Sequence, residues 1–293
     1  MRSDVAIRAN AAVAFAAILW GLWWLPLRWL ERSGLPGDWA TLALNAAALA
    51  VLVPYLWTRR RWFKEVGVGI CLAGLLYGVM MALWNHALIV GEVVRVVLLF
   101  YLAPIWSTLL ALFVLRARIG PMRALSIVLG LAGAAVILGF GGGIPMPRTE
   151  GDWFGLIAGL VFAFSATFAR GSGAGAGFRM TVFSFAGGML FGLLLAMVSP
   201  VAPAGHEMLE ALPLAAAIAL CGMLPITWLV LWGATHLDPG RVSILLLLDV
   251  VASTISAAIL TDEPFGWREA TGCVMILLAG LAEASPWPAE VDG

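Results

Sequence analysis

The sequence predicts an all-α integral membrane protein with ten transmembrane helices, arranged as two inverted five-helix repeats around a central cavity. Hydrophobic residues make up 62% of the chain and charged residues only 12%, whereas soluble domains carry about 25% charged residues. The apolar residues form long stretches, and the two halves of the chain share a succession of apolar spans and short turns. The net charge is zero, so no basic excess indicates a nucleic-acid partner.

The predicted spans follow from length. A helix needs about 20 apolar residues to cross the hydrocarbon of a bilayer. The first stretch could be taken for a signal peptide, but it continues as ILWGLWWLPLRW without a small-residue cleavage site, so we expect a retained span. Charged and Gly/Pro-rich breaks delimit ten stretches, at residues 10–29, 39–57, 67–90, 94–114, 124–141, 152–170, 178–199, 212–235, 241–260 and 268–285.

The distribution of positive charge predicts the orientation. With ten spans and the N-terminus inside, 12 of the 17 Lys and Arg residues fall on the inner side. This bias predicts that both termini are cytoplasmic. The basic run Arg59–Arg61 with Lys64 is expected to anchor the topology and to meet anionic lipid heads. The five remaining basic residues fall outside: Arg28, Arg32, Arg95, Arg148 and Arg268.

An internal repeat divides the chain. Residues Val90–Arg118 align with Thr235–Glu263 at a constant offset of 145 residues without a gap, and each block contains a Leu/Val-rich span between two turns. An odd number of spans per half inserts the halves in opposite directions, which is typical of secondary transporters with a binding site at the membrane midplane. We predict repeats at 1–147 and 148–293, joined by the Gly/Pro-rich linker Gly139–Trp153.

Several features resemble a known family. Trp20-Gly21 in the first span, FYLAPIWSTLLALF (Phe100–Phe113) in the fourth and the five-plus-five organisation resemble the EamA-type members of the drug/metabolite transporter superfamily. Within it, the chain looks most like the YddG-type aromatic amino acid exporters. The resemblance implies a cavity lined by spans one, three, four, six, eight and nine. It also implies export of amino acids or related metabolites across the cytoplasmic (inner) membrane.

Asp249 departs from that resemblance. Family members commonly carry a proline in the ninth span, equivalent to Pro104 in the fourth, but the offset of 145 places Asp249 there. A charge at the membrane centre costs about 2.5–3.5 kcal/mol on insertion scales, so the carboxylate should face protein or water. Ser253 follows one turn later on the same stripe. Either Asp249 contacts a substrate ammonium or carries a proton, or it is a structural acid bonded to a neighbouring helix.

Aromatic residues deep in the spans predict a ring-walled pocket. Such a pocket would hold flat or apolar side chains by dispersion and an ammonium group by cation–π attraction. For each residue the alternative is plain packing between helices. The candidates share helical faces in three pairs: Trp20 with Trp24, Tyr77 with Trp84, and Trp228 with Trp232.

Polar residues in the third and fourth spans complete the candidate site. Tyr101, Ser107 and Thr108 lie near Pro104 in the fourth span. The proline either leaves backbone carbonyls free where the helix borders a cavity, or only kinks the helix for packing. Asn85 could bind a substrate carboxylate or a neighbouring helix. His86 is expected to be solvated near the membrane surface.

Other function classes find little support in the residues. The only lysine, Lys64, lacks the glycine framework of a phosphate-binding loop. His206-Glu207 lacks a second histidine for zinc, and no nucleophile–base set is recognisable. We therefore expect no enzyme activity, catalytic residue, metal or cofactor, and the expected partners are a small-molecule substrate, the lipid bilayer and, if transport is coupled, protons. Drugs or other hydrophobic metabolites are the alternative substrates; a membrane-embedded enzyme or a channel is a distant alternative.

Overall fold

A computed structural model describes the chain at residues 2–35, 37–58, 66–91, 93–114, 116, 120–137, 146–173, 175–199, 201–260 and 265–284. All regular secondary structure in this part is helical. The basic run Arg59–Arg61 with Lys64, and residues 139–145 of the predicted linker, lie outside the described residues.

Helices occupy each of the ten predicted spans, and several spans consist of two consecutive helices. Within the described ranges, seven helical segments are long and apolar enough to cross a membrane by length and composition. The helices are α1 (Arg2–Gly21), α2 (Trp24–Arg32), α3 (Gly37–Thr58), α4 (Val68–Val90), α5 (Val93–Phe100), α6 (Ala103–Phe113), α7 (Pro121–Ile137), α8 (Glu150–Ala169), α9 (Ala176–Val198), α10 (Gly205–Ile218), α11 (Leu224–His236), α12 (Pro239–Leu246), α13 (Leu248–Leu260) and α14 (Trp267–Ala284), with a π-helical turn at Ala219–Met223 before α11.

Small residues allow the central helices to approach closely. A Cβ built at Gly78 of α4 would lie 2.5 Å from the amide nitrogen of Gly188 in α9. A Cβ at Gly159 of α8 would lie 2.6 Å from the carbonyl oxygen of Phe100 in α5. Gly78 follows Gly74, and Gly159 follows Gly155, at the Gly-xxx-Gly spacing that lets helix backbones meet without side chains between them.

Helix contacts between the two halves have counterparts made by the equivalent helices of the opposite halves. α4 packs on α8, and the corresponding helix of the second half, α11, packs on α1. Likewise α1 packs on α13, and α8 packs on α6. Each half thus uses equivalent surfaces to hold the other.

Repeat-related helices meet in opposite directions. In α7 and α14, Gly133 lies against Gly272, while Gly130, almost one turn earlier, contacts Ala279 seven residues later. In the fourth and ninth spans, Tyr101 donates a hydrogen bond to Asp249; farther along the fourth span, Ser107 contacts Ser243, which precedes Asp249. The two helices of each pair are therefore antiparallel.

Two spans are broken near their middle. α5 gives way to α6 at residues 101–102, and α12 gives way to α13 at Leu247. The turns are equivalent, because Ile105 donates its amide to the carbonyl of Leu102 at 2.9 Å and Val250 donates to that of Leu247 at 3.1 Å. Both pairs are related by the offset of 145 residues. The breaks bring irregular backbone to the interior of the bundle, where it can border a cavity.

Candidate functional site: an aromatic cavity with an acid at its floor

A cavity of about 620 Å³ lies between the two halves. It runs from the broken middle of the fourth and ninth spans toward the bundle end where α2, α4 and α7 finish and α14 begins. The sequence predicts that this end faces the outside. Seven of the twelve predicted site residues line the cavity: Trp20, Trp24, Tyr77, Trp84, Tyr101, Asp249 and Ser253.

Asp249 lies in the first turn of α13, in the wall of the cavity. Its side chain accepts a hydrogen bond from the hydroxyl of Tyr101, which is buried in the break between α5 and α6. The backbone of Gly21 lies against α13 at this level, and a Cβ there would be 2.6 Å from that of Ala252. The broken helices and the close contact of α1 therefore position the carboxylate toward the cavity and away from lipid.

Aromatic rings form much of the remaining wall. Trp20 packs edge-on against Trp23 at a centroid distance of 5.1 Å. Trp84 lies 4.4 Å from Phe100, and Tyr77 lies 6.4 Å from Phe162. The three partner rings also line the cavity and were not among the predicted site residues. Phe100 lies inside the quoted FYLAPIW motif, but no sequence signal distinguishes Phe162 from an ordinary packing residue.

Three charged residues that line the cavity near the mouth, Arg28, Arg268 and Glu269, were not among the predicted site residues. Arg28 lies over the ring of Trp24 at 4.6 Å from its centroid, and the indole nitrogen of Trp24 donates to the hydroxyl of Ser256 at 3.1 Å. Arg268 donates to the adjacent Glu269 at 3.0 Å and also to the carbonyl of Ile137 at 3.2 Å. Both arginines line the cavity. Arg28 follows Trp24 by one helical turn, a signal that the sequence contains.

The other five predicted residues lie outside the cavity wall. Asn85 donates to the hydroxyl of Thr41 at 2.9 Å, and Ser107 is fully buried and accepts from Ser243 at 2.7 Å. The remaining three are the buried Thr108 and the ring pair Trp228 and Trp232, which lie on α11 at a centroid distance of 6.5 Å. In the described part of the chain, the eighth span contributes no residue to the wall.

Polar contacts close the bundle at the opposite end. Besides the bond between Ser243 and Ser107, Arg123 of α7 pairs with Asp238 at the start of α12, at 3.2 Å. Both partners of this ion pair are largely buried, with 10% and 12% of their side chains exposed. The two halves are thus joined on one side of Asp249 and parted by the cavity on the other.

His86 is not solvated, and that expectation is wrong. The histidine is 8% exposed and its Nδ1 lies 3.1 Å from both carboxylate oxygens of Asp38, which is itself buried at the start of α3. The ring also packs edge-on against Phe154 at 4.7 Å. A polar partner from another helix allows the imidazole to be buried.

The described residues contain no group of three or more His, Cys, Asp or Glu side chains that could hold a metal ion. The hydrogen-bonding groups of the cavity are few, and they are surrounded by rings and aliphatic side chains. A mostly apolar pocket with a few placed polar groups is the usual form of a small-molecule site. Binding and release of an amphiphilic solute is therefore the chemistry that the cavity can support.

Comparison with known proteins agrees with this arrangement. None of the curated proteins matches the sequence. One solved structure, described only as the crystal structure of a protein, matches over 94% of this chain and 97% of its own at a TM-score of 0.64, with 22% identity, which indicates a shared fold. The family model of the EamA-like transporter family matches twice, at residues 7–139 and 149–282. The two matches cover both predicted halves, so the chain is built from two EamA repeats and belongs to the EamA-like transporter family, whose members are membrane transporters of small molecules.

Proposed function

We propose that this protein exports amino acids, including aromatic ones, across the cytoplasmic membrane by alternating access, in the manner of the YddG-type exporters. Ten spans would form two inverted five-helix repeats, 1–147 and 148–293, with both termini cytoplasmic. Rocking of the repeats would expose the cavity to each side in turn. The antiparallel contacts between repeat-related helices and a cavity open toward one end support this mechanism.

The observation that carries the proposal is the carboxylate of Asp249 in a cavity walled by aromatic rings. Asp249 would attract the substrate ammonium, while the rings of Trp20, Trp84 and Phe100 would accept its side chain. The cavity volume of about 620 Å³ lies within the range of roughly 300–1,000 Å³ typical of small-molecule sites. Ser253, one turn beyond Asp249 in the same wall, donates its hydroxyl proton to the carbonyl of Val250, and its oxygen would accept a hydrogen bond from the ammonium.

The decisive experiment is uptake of labelled amino acids into liposomes containing the purified protein. The panel should include phenylalanine, tryptophan, leucine and threonine, with empty liposomes and the Asp249→Ala variant as controls. We expect uptake of the aromatic amino acids above the empty-liposome level and loss of most of it in the variant. The substrate proposal is rejected if no amino acid enters while a hydrophobic drug does.

A pH gradient separates the two roles open to Asp249. If the carboxylate carries a proton, a gradient drives accumulation in the native protein, and Asp249→Asn abolishes the dependence. If it only binds the ammonium, the gradient has no effect, but Asp249→Asn still weakens binding. Normal transport by Asp249→Asn with and without a gradient would remove both roles.

A further inference from the structure

We infer that Arg28 is the carboxylate-binding residue of the cavity and, with Asp249, selects zwitterionic substrates. The inference rests on the proposed function and adds a specificity-determining residue to it. Arg28 lines the cavity near its mouth, whereas Asp249 lies at its floor beside Gly21. A cation and an anion thus face one cavity from different depths.

The surroundings of Arg28 leave its donors available. Its guanidinium lies over the ring of Trp24, which fixes the plane without using an N–H group. In the described part of the chain, no carboxylate pairs with it. Arg268, by contrast, already donates to Glu269 and to the carbonyl of Ile137. Of the two cations in the wall, Arg28 is therefore the one with a free donor face.

Trp24 holds this guanidinium in place. Its indole nitrogen donates to Ser256 of α13 at 3.1 Å, and Ser256 is 7% exposed. The ring is therefore held between α2 and α13, and Arg28 stacks on a fixed surface. A planar guanidinium held in this way can meet a carboxylate with two parallel hydrogen bonds.

The separation of the charges suits an α-amino acid. Arg28 follows Gly21 by seven residues across the short turn between α1 and α2, a separation of about 10 Å at the helical rise of 1.5 Å per residue. Its guanidinium stacks on Trp24, whose indole nitrogen is bonded to Ser256, and Ser256 follows Asp249 by seven residues of α13, which leaves a gap of roughly 10 Å between the two charges. A head group with one hydrogen bond of about 2.8 Å on each side fits such a gap. The side chain of the substrate is then directed to the aromatic wall.

Competition binding on the detergent-solubilised protein tests this assignment. The competitors against labelled phenylalanine are phenylalanine itself and three analogues. Phenylalanine amide and phenethylamine lack the carboxylate, and N-acetylphenylalanine lacks the ammonium. In the native protein we expect all three analogues to bind at least tenfold more weakly than phenylalanine, because each leaves one charge of the cavity unpaired. Equal binding of phenylalanine and its amide would overturn the inference without any variant.

The variant Arg28→Gln identifies the residue responsible. We expect it to bind phenylalanine about tenfold to a hundredfold more weakly and phenethylamine about as well as the native protein does. Arg28→Lys should recover part of the loss, since it keeps the charge but not the planar fork. Arg32→Gln is the matched control, because Arg32 lies one turn farther along α2 and outside the cavity wall.

The outcomes separate the inference from the proposed function. Equal losses for phenylalanine and phenethylamine in Arg28→Gln would assign Arg28 a structural role, and an equal effect of Arg32→Gln would assign the loss to surface charge. Either result overturns the inference while amino acid export stands. If the native protein binds no amino acid, both fall together.

Discussion

Replacing Gly21 by alanine should impair both stability and substrate binding, because this glycine sets the distance between α1 and α13. A Cβ at position 21 would lie 2.6 Å from the Cβ of Ala252 and 2.8 Å from the amide nitrogen of Ser253. Carbon atoms in ordinary contact are separated by about 3.5–4.0 Å. The two helices must therefore move apart by roughly 1 Å, and the obstacle is partly backbone that cannot rotate away.

The magnitude follows from the cost of overpacking. An added methyl group in a well-packed interior costs about 1–3 kcal/mol, which corresponds to a fall of about 2–10 °C in apparent melting temperature. The same displacement moves the start of α13, where Asp249 meets Tyr101. We therefore expect Gly21→Ala to weaken amino acid binding in addition to lowering the melting temperature.

Two other glycines supply the controls for thermal unfolding and binding assays. A Cβ at Gly69 would lie 3.7 Å from the nearest atom, so Gly69→Ala should leave stability unchanged or slightly raised. A Cβ at Gly133 would lie 2.7 Å from the carbonyl of Gly272, between α7 and α14. Gly133→Ala should lower the melting temperature but preserve binding. Normal stability and binding in Gly21→Ala would refute the reasoning, and equal binding loss in Gly133→Ala would refute the link to Asp249.

Three further predictions concern polar groups outside the cavity wall. Asp152→Asn removes a buried charge that Arg95, itself 24% exposed, meets at 2.7 Å, so unfolding free energy should fall by about 1.5–3 kcal/mol; an unchanged melting temperature would contradict this. Asn85→Ala should cost about 1 kcal/mol of stability with unchanged phenylalanine affinity, and a selective affinity loss would return Asn85 to the binding site. Arg123→Gln breaks the ion pair with Asp238 and should speed hydrogen exchange in α12; equal protection of α12 would show that the pair does not hold this end closed.

The positions of the helices could be predicted from the sequence, because hydropathy is a local property. The rotation of each helix could not. Trp24 and Trp228 each belong to a pair of tryptophans four residues apart, yet Trp24 lines the cavity and Trp228 lies on α11 away from it with 38% exposure. What differs is the neighbouring helix: Trp24 is bonded to Ser256, 232 residues away. No single-sequence pattern carries that information.

Charged and titratable residues were misread for a related reason. The sequence predicts only that Arg28 lies on the outer side of the membrane, because that assignment depends on its position between two spans. Its place in the cavity depends on the ring of Trp24 beneath it. His86 was expected in solvent because its burial requires a partner, and the partner, Asp38, belongs to a different helix. The missed role of Arg28 and the wrong expectation for His86 both concern contacts between elements, whereas hydropathy reports on each element alone.

The aspartate at position 249, where the internal repeat has Pro104, has a physical explanation in the broken helices. Pro104 is the second residue of α6, and Asp249 is the second residue of α13. The first turn of a helix has backbone N–H groups without intrahelical acceptors, so a proline there sacrifices no hydrogen bond. An aspartate is favoured at the same place by those N–H groups and by the helix dipole. The two residues are therefore alternative ways to begin a half-helix inside the membrane, and the ninth span keeps its break without proline. Aspartate adds what proline lacks, an ionisable carboxyl group in the wall of the cavity.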